Sequence, residues 1–434
     1  MQAKVLLAAL WLGVAGRASA LQPLEEFLRG ARSASPDNAE ARAARRQLDA
    51  DADAELGRAL PRLSLQGQYT RNQFETTVEL PGAAGGPPAR VTITPKDQLD
   101  GAATLDVPLV DLARFARIGA ARTGARASGT QAAATELRVQ ALVSQEYFQL
   151  LANRALVGAS RKALEVARAS LSIADERHQA GSTGLLDVDR ARGEVERNVQ
   201  QLASAELQVA LSARALQSLT GIAPELDGDR PLTDDLHEEP PLERFQPPDE
   251  KLPALAAAME GREAAEQQAR AQRLTLAPSL GASLTERVTS AEGLAGRDAS
   301  WQAVVGLSWS LDLTTFAGIR AQDAAADVAR AREQRARLAA HDDIHRAWST
   351  VRSQIARSRS ARVQSEVSAR ASELALERYR AGAATQIDLL QAQRDAFGAD
   401  AARIQADADL VNARAQLRLA AGESLLEPPG GGAP

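Results

Sequence analysis

The chain has 434 residues, 44% of them apolar but only 3% aromatic, and a formal net charge of −5. That balance offers no counterpart to a nucleic-acid backbone, and no basic segment interleaved with aromatics says otherwise. The absence of cysteine excludes disulfides, thiol catalysis, cysteine-ligated metals and a lipid carried on an N-terminal cysteine. Much of the apolar fraction is alanine, which together with Arg, Glu and Gln suits long helices packed closely side by side.

Residues 1–20 have the layout of an export signal. Lys4 supplies the positive start, VLLAALWLGVAG (5–16) the apolar stretch, and Ala18-Ser19-Ala20 a small-residue cleavage site, so that Leu21 begins the mature protein. No other apolar run approaches the ~18 residues of a transmembrane helix. A mature chain that enters a membrane must therefore enter it as strands.

Residues 22–58 read as helical, with Ser35-Pro36 marking a break and a new start. The period then changes. At 62–72, Leu63, Leu65 and Tyr69 alternate with Arg62, Ser64, Gln66 and Gln68, which predicts a strand. A Gly/Pro-rich loop is expected at 80–89 and a second strand at 102–109. A very long helix follows, about 112–178. Val143, Leu150, Val157, Leu164 and Leu171 recur every seventh residue in it, the pattern of a helix that supercoils with a neighbour. At 1.5 Å per residue such a helix is roughly 100 Å long. A glycine turn ends it, and a second helix over 187–220 is expected to return antiparallel.

Residues 221–252 are rich in Pro and acid and read as a connection at the halfway point, an equator. The programme then restarts, with a helix at 253–276 and strands at 279–289 and 301–311. In the last, Trp301, Ala303, Val305, Leu307, Trp309 and Leu311 alternate with smaller or polar residues. A long helix at 317–378, a second glycine turn and a helix to 421 complete it. Leu390, Phe397, Ile404 and Val411 again step by seven, and 422–434 reads as a disordered tail.

The two turns align without a gap: ERHQAGSTGLLDVDRAR at 176–192 and ERYRAGAATQIDLLQAQ at 377–393. The chain is thus a tandem duplication of strand–loop–strand–long helix–turn–helix, one copy in 21–220 and the other in 253–421. Each strand has about the length needed to cross a bilayer at a tilt. Four strands cannot close a barrel, for which about eight are needed. A membrane reading therefore requires a symmetric oligomer that pools strands, with its charged helices in water.

The export signal, the duplicated unit and the two turns resemble the TolC-like outer-membrane efflux protein family over nearly all of the mature chain. DVPLVDLARF (106–115) and WSLDLTTFAG (309–318) are also similar to that family's strand-to-helix junctions. The resemblance implies a mainly α fold with membrane β. Long antiparallel coiled-coil hairpins would form a helical barrel, and four strands per chain would join a shared 12-stranded barrel in a homotrimer. It further implies a passive duct from the outer membrane into the periplasm that exports small molecules, metal ions or proteins. A periplasmic adaptor would join it to an inner-membrane transporter, which supplies the energy. It implies no enzyme and no cofactor.

By the same resemblance the two turns form the periplasmic tip. Gly181, Ser182 and Thr183, with Gly382, Ala383 and Ala384, are its adaptor-docking turns, two per chain, giving near-sixfold contacts from three protomers. Asp187 and Asp388 match acids near the pore constriction, where a carboxylate ring favours cations. An Asp in the first turn of a helix also opposes the helix dipole without any pore role. Tyr379 matches a tyrosine that holds the tip shut. Two positions depart from the pattern: Ala384 stands where an arginine is expected and Gln391 where a second acid is expected. Both predict a tip closed mainly by helix packing, or only weakly.

His341 and His345 in HDDIH have the spacing of paired metal ligands. A solvated helix face explains them better, because the motif lacks the glutamate of the zinc-protease helix and has no third histidine nearby. No Ser/His/Asp set or phosphate loop stands out. Trp301 and Trp309 suit a membrane interface or a buried soluble sheet. The competing reading from another class is a soluble periplasmic coiled-coil scaffold without channel activity.

Overall fold

The computed structural model describes residues 21–426 except 82–87, 227–231, 233, 292 and 294–296. The export signal at 1–20 and the last eight residues of the expected tail lie outside the described residues, as do parts of the 80–89 loop and of the 221–252 connection. The chain divides into two compact units, and the dividing points fall inside helices, so neither unit is one sequence repeat.

The first unit comprises Arg42–Gln131 and Ala254–Arg337. It holds a four-stranded antiparallel sheet of β1 (Arg62–Arg71), β4 (Asp97–Val110), β5 (Ser279–Thr289) and β6 (Ala299–Ser308), in the order β1-β4-β5-β6. Two strands come from each repeat. A separate hairpin pairs β2 (Thr76–Leu80) with β3 (Ala89–Thr94). The expected loop at 80–89 lies between these strands, its centre at 82–87 outside the described residues; the two strands beside it were not expected. The Gly/Pro centre is flanked on both sides by β-branched runs, TTVEL and VTIT, whose propensity extends the strands outward from it. All four strands of the main sheet meet helices at the same end. The end of α2 (Pro36–Arg58) leads into β1, and β4 runs into α3 (Leu112–Gln179). α5 (Pro253–Arg273) leads into β5, and β6 runs into α6 (Leu313–Arg380).

The register puts the apolar residues of the alternating pattern on one face. Leu65 opposes Ala103, Ala103 opposes Glu286, and Glu286 opposes Trp301; one row on, Leu63, Leu105, Leu284 and Ala303 line up. These large side chains are open to the surroundings, Leu65 at 77%, Trp301 at 71% and Leu307 at 69%. The opposite face carries Arg62, Gln66, Gln68, Asp100, Asp106 and Arg287. On it Arg287 meets Asp100 at 3.1 Å and the Thr104 and Thr285 hydroxyls lie 3.2 Å apart. β1 and β6 are edge strands with no outer partner among the described residues.

β6 stops at Ser308, short of the expected 311, and α6 starts at Leu313 rather than 317. Asp312 is the reason. Its Oδ1 accepts from the Thr315 backbone N–H at 2.7 Å and the Thr314 hydroxyl at 2.6 Å, capping the helix early. Trp309 stays 65% exposed, its indole N–H donating to the Leu276 carbonyl at 3.0 Å.

The second unit comprises 21–41, Ala132–Pro253 and the chain from Leu338 onward. It packs the remainder of α3 and α6 with α4 (Leu185–Thr220), α7 (Gln386–Ala420) and α1 (Leu24–Ala34). α1 is amphipathic. Phe27, Leu28 and Ala31 sit on one face and are buried with Val143, Tyr147, Leu150 and Leu216, while Glu25, Glu26 and Arg32 suit the helix dipole. Of the heptad positions, Val143, Leu150, Leu164, Leu390 and Ile404 are buried, while Val157, Leu171, Phe397 and Val411 are half-buried. Alanines fill the intervening sites, as where Ala152, Ile404 and Ala408 meet. Close packing of small residues is how this core manages with few aromatics.

Candidate functional site

The two glycine turns lie in the second unit, one between α3 and α4 and the other between α6 and α7. Gly181 has φ +71° and Gly382 φ +74°, the left-handed region that glycine enters without penalty. In the first turn the Gly181 N–H donates to the His178 carbonyl at 2.9 Å and the Ser182 N–H to Arg177 at 2.8 Å. In the second, Gly382 donates to Tyr379 at 3.1 Å and Ala383 to Arg378 at 2.8 Å. Each is a Schellman closure that satisfies the last carbonyls of a very long helix. Ser182, Gly181, Gly382 and Ala383 are exposed; Thr183 and Ala384 are half-buried.

The turns differ in how the returning helix starts. Thr385 caps α7: its hydroxyl accepts from the Asp388 N–H at 3.2 Å while Asp388 Oδ2 accepts from the Thr385 N–H at 3.0 Å, a reciprocal capping box. The Thr385 N–H and hydroxyl together hold the exposed Asp388 carboxyl below its ordinary range. α4 starts instead at Gly184, which has no side chain to cap with. There Thr183 donates its hydroxyl to Asp187 Oδ2 at 2.5 Å and Arg190 reaches Oδ1 at 3.3 Å. Asp187 and Asp388 thus both have local work at a helix start. Gln391 is exposed and donates along its own helix to Asp395 at 2.9 Å.

Tyr379 is buried, and its side chain joins the two turns in an unexpected way. The Arg177 guanidinium lies 4.6 Å from the ring centroid and also donates to the Tyr379 backbone carbonyl. The phenol oxygen is buried with no hydrogen-bond partner among the described residues. Burial pushes the phenol above its ordinary value, the Arg177 charge opposes this, and the Asp187 charge adds to it. The tie runs through ring and main chain, not through the hydroxyl.

Further along the hairpins, Glu194 is 5% exposed on the stripe that also buries Val188, Ala191 and Asn198. Arg394 of α7 grips one of its oxygens with two N–H groups at 2.9 and 2.6 Å, and Arg197 approaches at 3.4 Å. Gln393 donates to Ser170 at 2.7 Å. Sequence reasoning missed Arg177, Glu194 and Arg394. A carboxylate on an apolar helical stripe was the one available signal. Away from the tip, His341 Nε2 lies 3.5 Å from Asp249, and among the described residues no three His, Asp or Glu converge as metal ligands would.

The model of the outer membrane efflux protein family matches residues 28–222 and 250–423, so the chain belongs to that family and carries its unit twice. Solved structures share the fold at low identity. VceC, an outer membrane protein of Vibrio cholerae, superposes with a TM-score of 0.77 at 17% identity, covering 92% of this chain and 96% of that one. The CmeC outer membrane channel of Campylobacter jejuni gives 0.77 at 19%, covering 93% and 86%. The outer-membrane channel OprN gives 0.78 at 21%, covering 93% and 91%. No curated protein sequence matches the chain.

Proposed function

We propose that this protein is the outer-membrane duct of a tripartite exporter, assembled from three copies. One observation carries the reading: a four-stranded sheet with one mainly apolar, outward-open face, one polar and charged face and two edges unpaired among the described residues. In hydrocarbon every backbone amide needs a partner, so such a sheet is complete only when its edges meet those of other copies. Twelve strands from three chains make a lipid-facing barrel whose charged side lines water. A soluble scaffold would expose the same apolar face to water without compensation.

In this duct the strand ends joined to helices face the periplasm, and the β2–β3 hairpin faces outward. The glycine turns form the periplasmic tip and dock the adaptor, with Gly181, Ser182, Thr183, Gly382, Ala383 and Ala384 as the contact surface. Asp187 and Asp388 bias the narrow end toward cations. An inner-membrane transporter drives small molecules, metal ions or proteins through it. Residues 1–20 direct export and are removed before Leu21.

Purification tests this directly. A detergent-dependent trimer that loses its gel mobility on heating, and that conducts ions in a planar bilayer, is expected. A monodisperse, detergent-free monomer without conductance overturns the reading.

A further inference from the structure

The two repeats correspond helix for helix. α3 and α6 are both 68 residues long, and they begin and end 201 positions apart, at Leu112 and Leu313 and at Gln179 and Arg380. α4 and α7 begin 201 apart as well, at Leu185 and Gln386. Each residue of the first hairpin therefore has a counterpart 201 positions on in the second.

Within the chain, α3 of the first hairpin packs on α7 of the second. Ser144 donates to Asn412 at 3.2 Å, Gln393 donates to Ser170 at 2.7 Å, and Ala152 meets Ile404 and Ala408. Ser144, Ala152 and Ser170 are buried, but their counterparts on α6, His345, Ser353 and Ala371, are exposed. Across the joint, Ile404 and Ala408 are buried and Asn412 half-buried, but Ala203, Leu207 and Leu211, their counterparts on α4, are exposed. Elsewhere the counterparts match: Val143 and Ile344, Leu150 and Val351, and Leu216 and Leu417 are buried in both repeats. The chain thus carries both halves of its own internal joint a second time, uncovered. The sheet has the same property. Its joint between repeats is β4 on β5, and the equivalent strands, β6 and β1, are its open edges. The occupant that supplies the missing half in both places is another copy of this chain, docked head to tail.

The internal joint ends at Arg177 and Tyr379. Their counterparts are Arg378 and His178, both exposed. His178 Nδ1 lies 2.9 Å from the Thr183 carbonyl. A carbonyl only accepts, so Nδ1 carries the proton and the neutral ring presents Nε2 as an acceptor. Arg378 makes a long hydrogen bond, 3.4 Å, to the carbonyl of Ala383 in its own turn.

Resting on the trimeric-duct reading, we propose that Arg378 engages His178 of the partner subunit and that α6 packs there on the partner's α4. The tip is then ringed by two alternating joints, Arg177–Tyr379 inside each chain and Arg378–His178 between chains. The second is the weaker, because an imidazole lacks the broad π-face that a phenol ring offers a guanidinium.

The chain has no cysteine, so introduced thiols report alone. Full-length protein in membranes, carrying His178→Cys with Arg378→Cys, is treated with a short bis-maleimide and run on a denaturing gel. Covalent dimers and trimers are expected, and neither single variant should give them. Ala371→Cys with Arg192→Cys should give the same ladder, whereas Ser170→Cys with Gln393→Cys, the equivalent pair inside one chain, should react without a gain in mass. His178→Tyr should lower single-channel conductance at least twofold, and Arg378→Ala added to it should abolish the decrease. Native mass spectrometry of the unlinked protein gives the oligomeric state. A trimer without a ladder from the 178 and 378 pair overturns the proposal and leaves the duct standing. So does a trimer whose conductance is unchanged by His178→Tyr. A protein that forms no trimer refutes the duct reading and the proposal with it.

Discussion

Arg177, at the end of α3, stacks its guanidinium 4.6 Å from the ring of Tyr379, at the end of α6, and donates to that residue's carbonyl. The two glycine turns, 201 residues apart by alignment, are thereby held by one side chain. The arginine missing at position 384 is not needed for such a tie, because an arginine from the other turn reaches the same tyrosine.

Arg177→Ala and Tyr379→Ala should both loosen the tip and raise single-channel conductance in a planar bilayer. Tyr379→Phe should leave conductance near wild type, since the hydroxyl is buried without a partner among the described residues and its removal costs little or stabilises. Conductance in Tyr379→Phe matching Tyr379→Ala would mean that the hydroxyl carries the closure.

The capping box at α7 separates structure from selectivity. Thr385→Ala should cost about 1 kcal/mol of stability through the lost cap, read as a lower melting temperature. Asp388→Asn keeps an acceptor for the Thr385 N–H but loses the charge. It should melt near wild type yet show reduced cation preference in reversal-potential measurements. A wild-type reversal potential in Asp388→Asn would leave the carboxylate with a capping role only.

The same carboxyl sets a pH dependence. Its folded value is depressed by the Thr385 N–H and hydroxyl, so its contribution is fully present at neutral pH. It is lost as pH falls from the ordinary carboxylate value of about 4 through the lower folded one. In Thr385→Ala, which removes the hydroxyl but keeps the N–H, the Asp388 titration, followed by NMR of the carboxyl carbon, should move part of the way up toward the ordinary value. An unchanged titration would assign the depression to the Thr385 N–H alone.

Breaking the Glu194–Arg394 contact should destabilise the paired hairpins. Arg394→Ala leaves a buried carboxylate with Arg197 as its remaining cation, and a charge-assisted hydrogen bond lost in this way is worth about 1.5–3 kcal/mol. Glu194→Gln combined with Arg394→Gln should recover much of the loss, because neither site then buries an unpaired charge. Thermal unfolding of the single and double variants tests this, and strict additivity would show that the two residues do not interact.

Gly382→Ala forces a side chain into a left-handed backbone and should cost about 1–2 kcal/mol. An added Cβ meets only Arg177 Nη2, at 3.9 Å, so crowding adds little. Gly181→Ala, with nothing near its added Cβ, should cost the same in melting experiments. A clearly larger penalty at 382 would indicate contacts beyond backbone strain.

What the sequence made legible was local. The alternation through Trp301–Leu307 marks a strand because side-chain direction reverses at every residue, and the Gly181 and Gly382 turns show because only glycine suits their φ. The Glu194–Arg394 and Arg177–Tyr379 contacts were hidden, since each depends on how two hairpins far apart in sequence slide past one another, and residue type alone does not fix that register. Asp187 and Asp388 align as equals, yet Gly184 against Thr385 gives them different partners. The β2–β3 hairpin was not legible because its strands are only five and six residues long, and runs that short gain their strand form from pairing with one another.

The sheet ends in two unlike strands, β1 on one side and β6 on the other. In the proposed ring every seam joins the β1 margin of one subunit to the β6 margin of the next. A subunit crippled in one margin alone can still occupy a place, and it leaves one seam unzipped. Such a subunit acts as a stoichiometric poison: mixed evenly with wild type and distributed at random among rings of three, it leaves about one ring in eight sound.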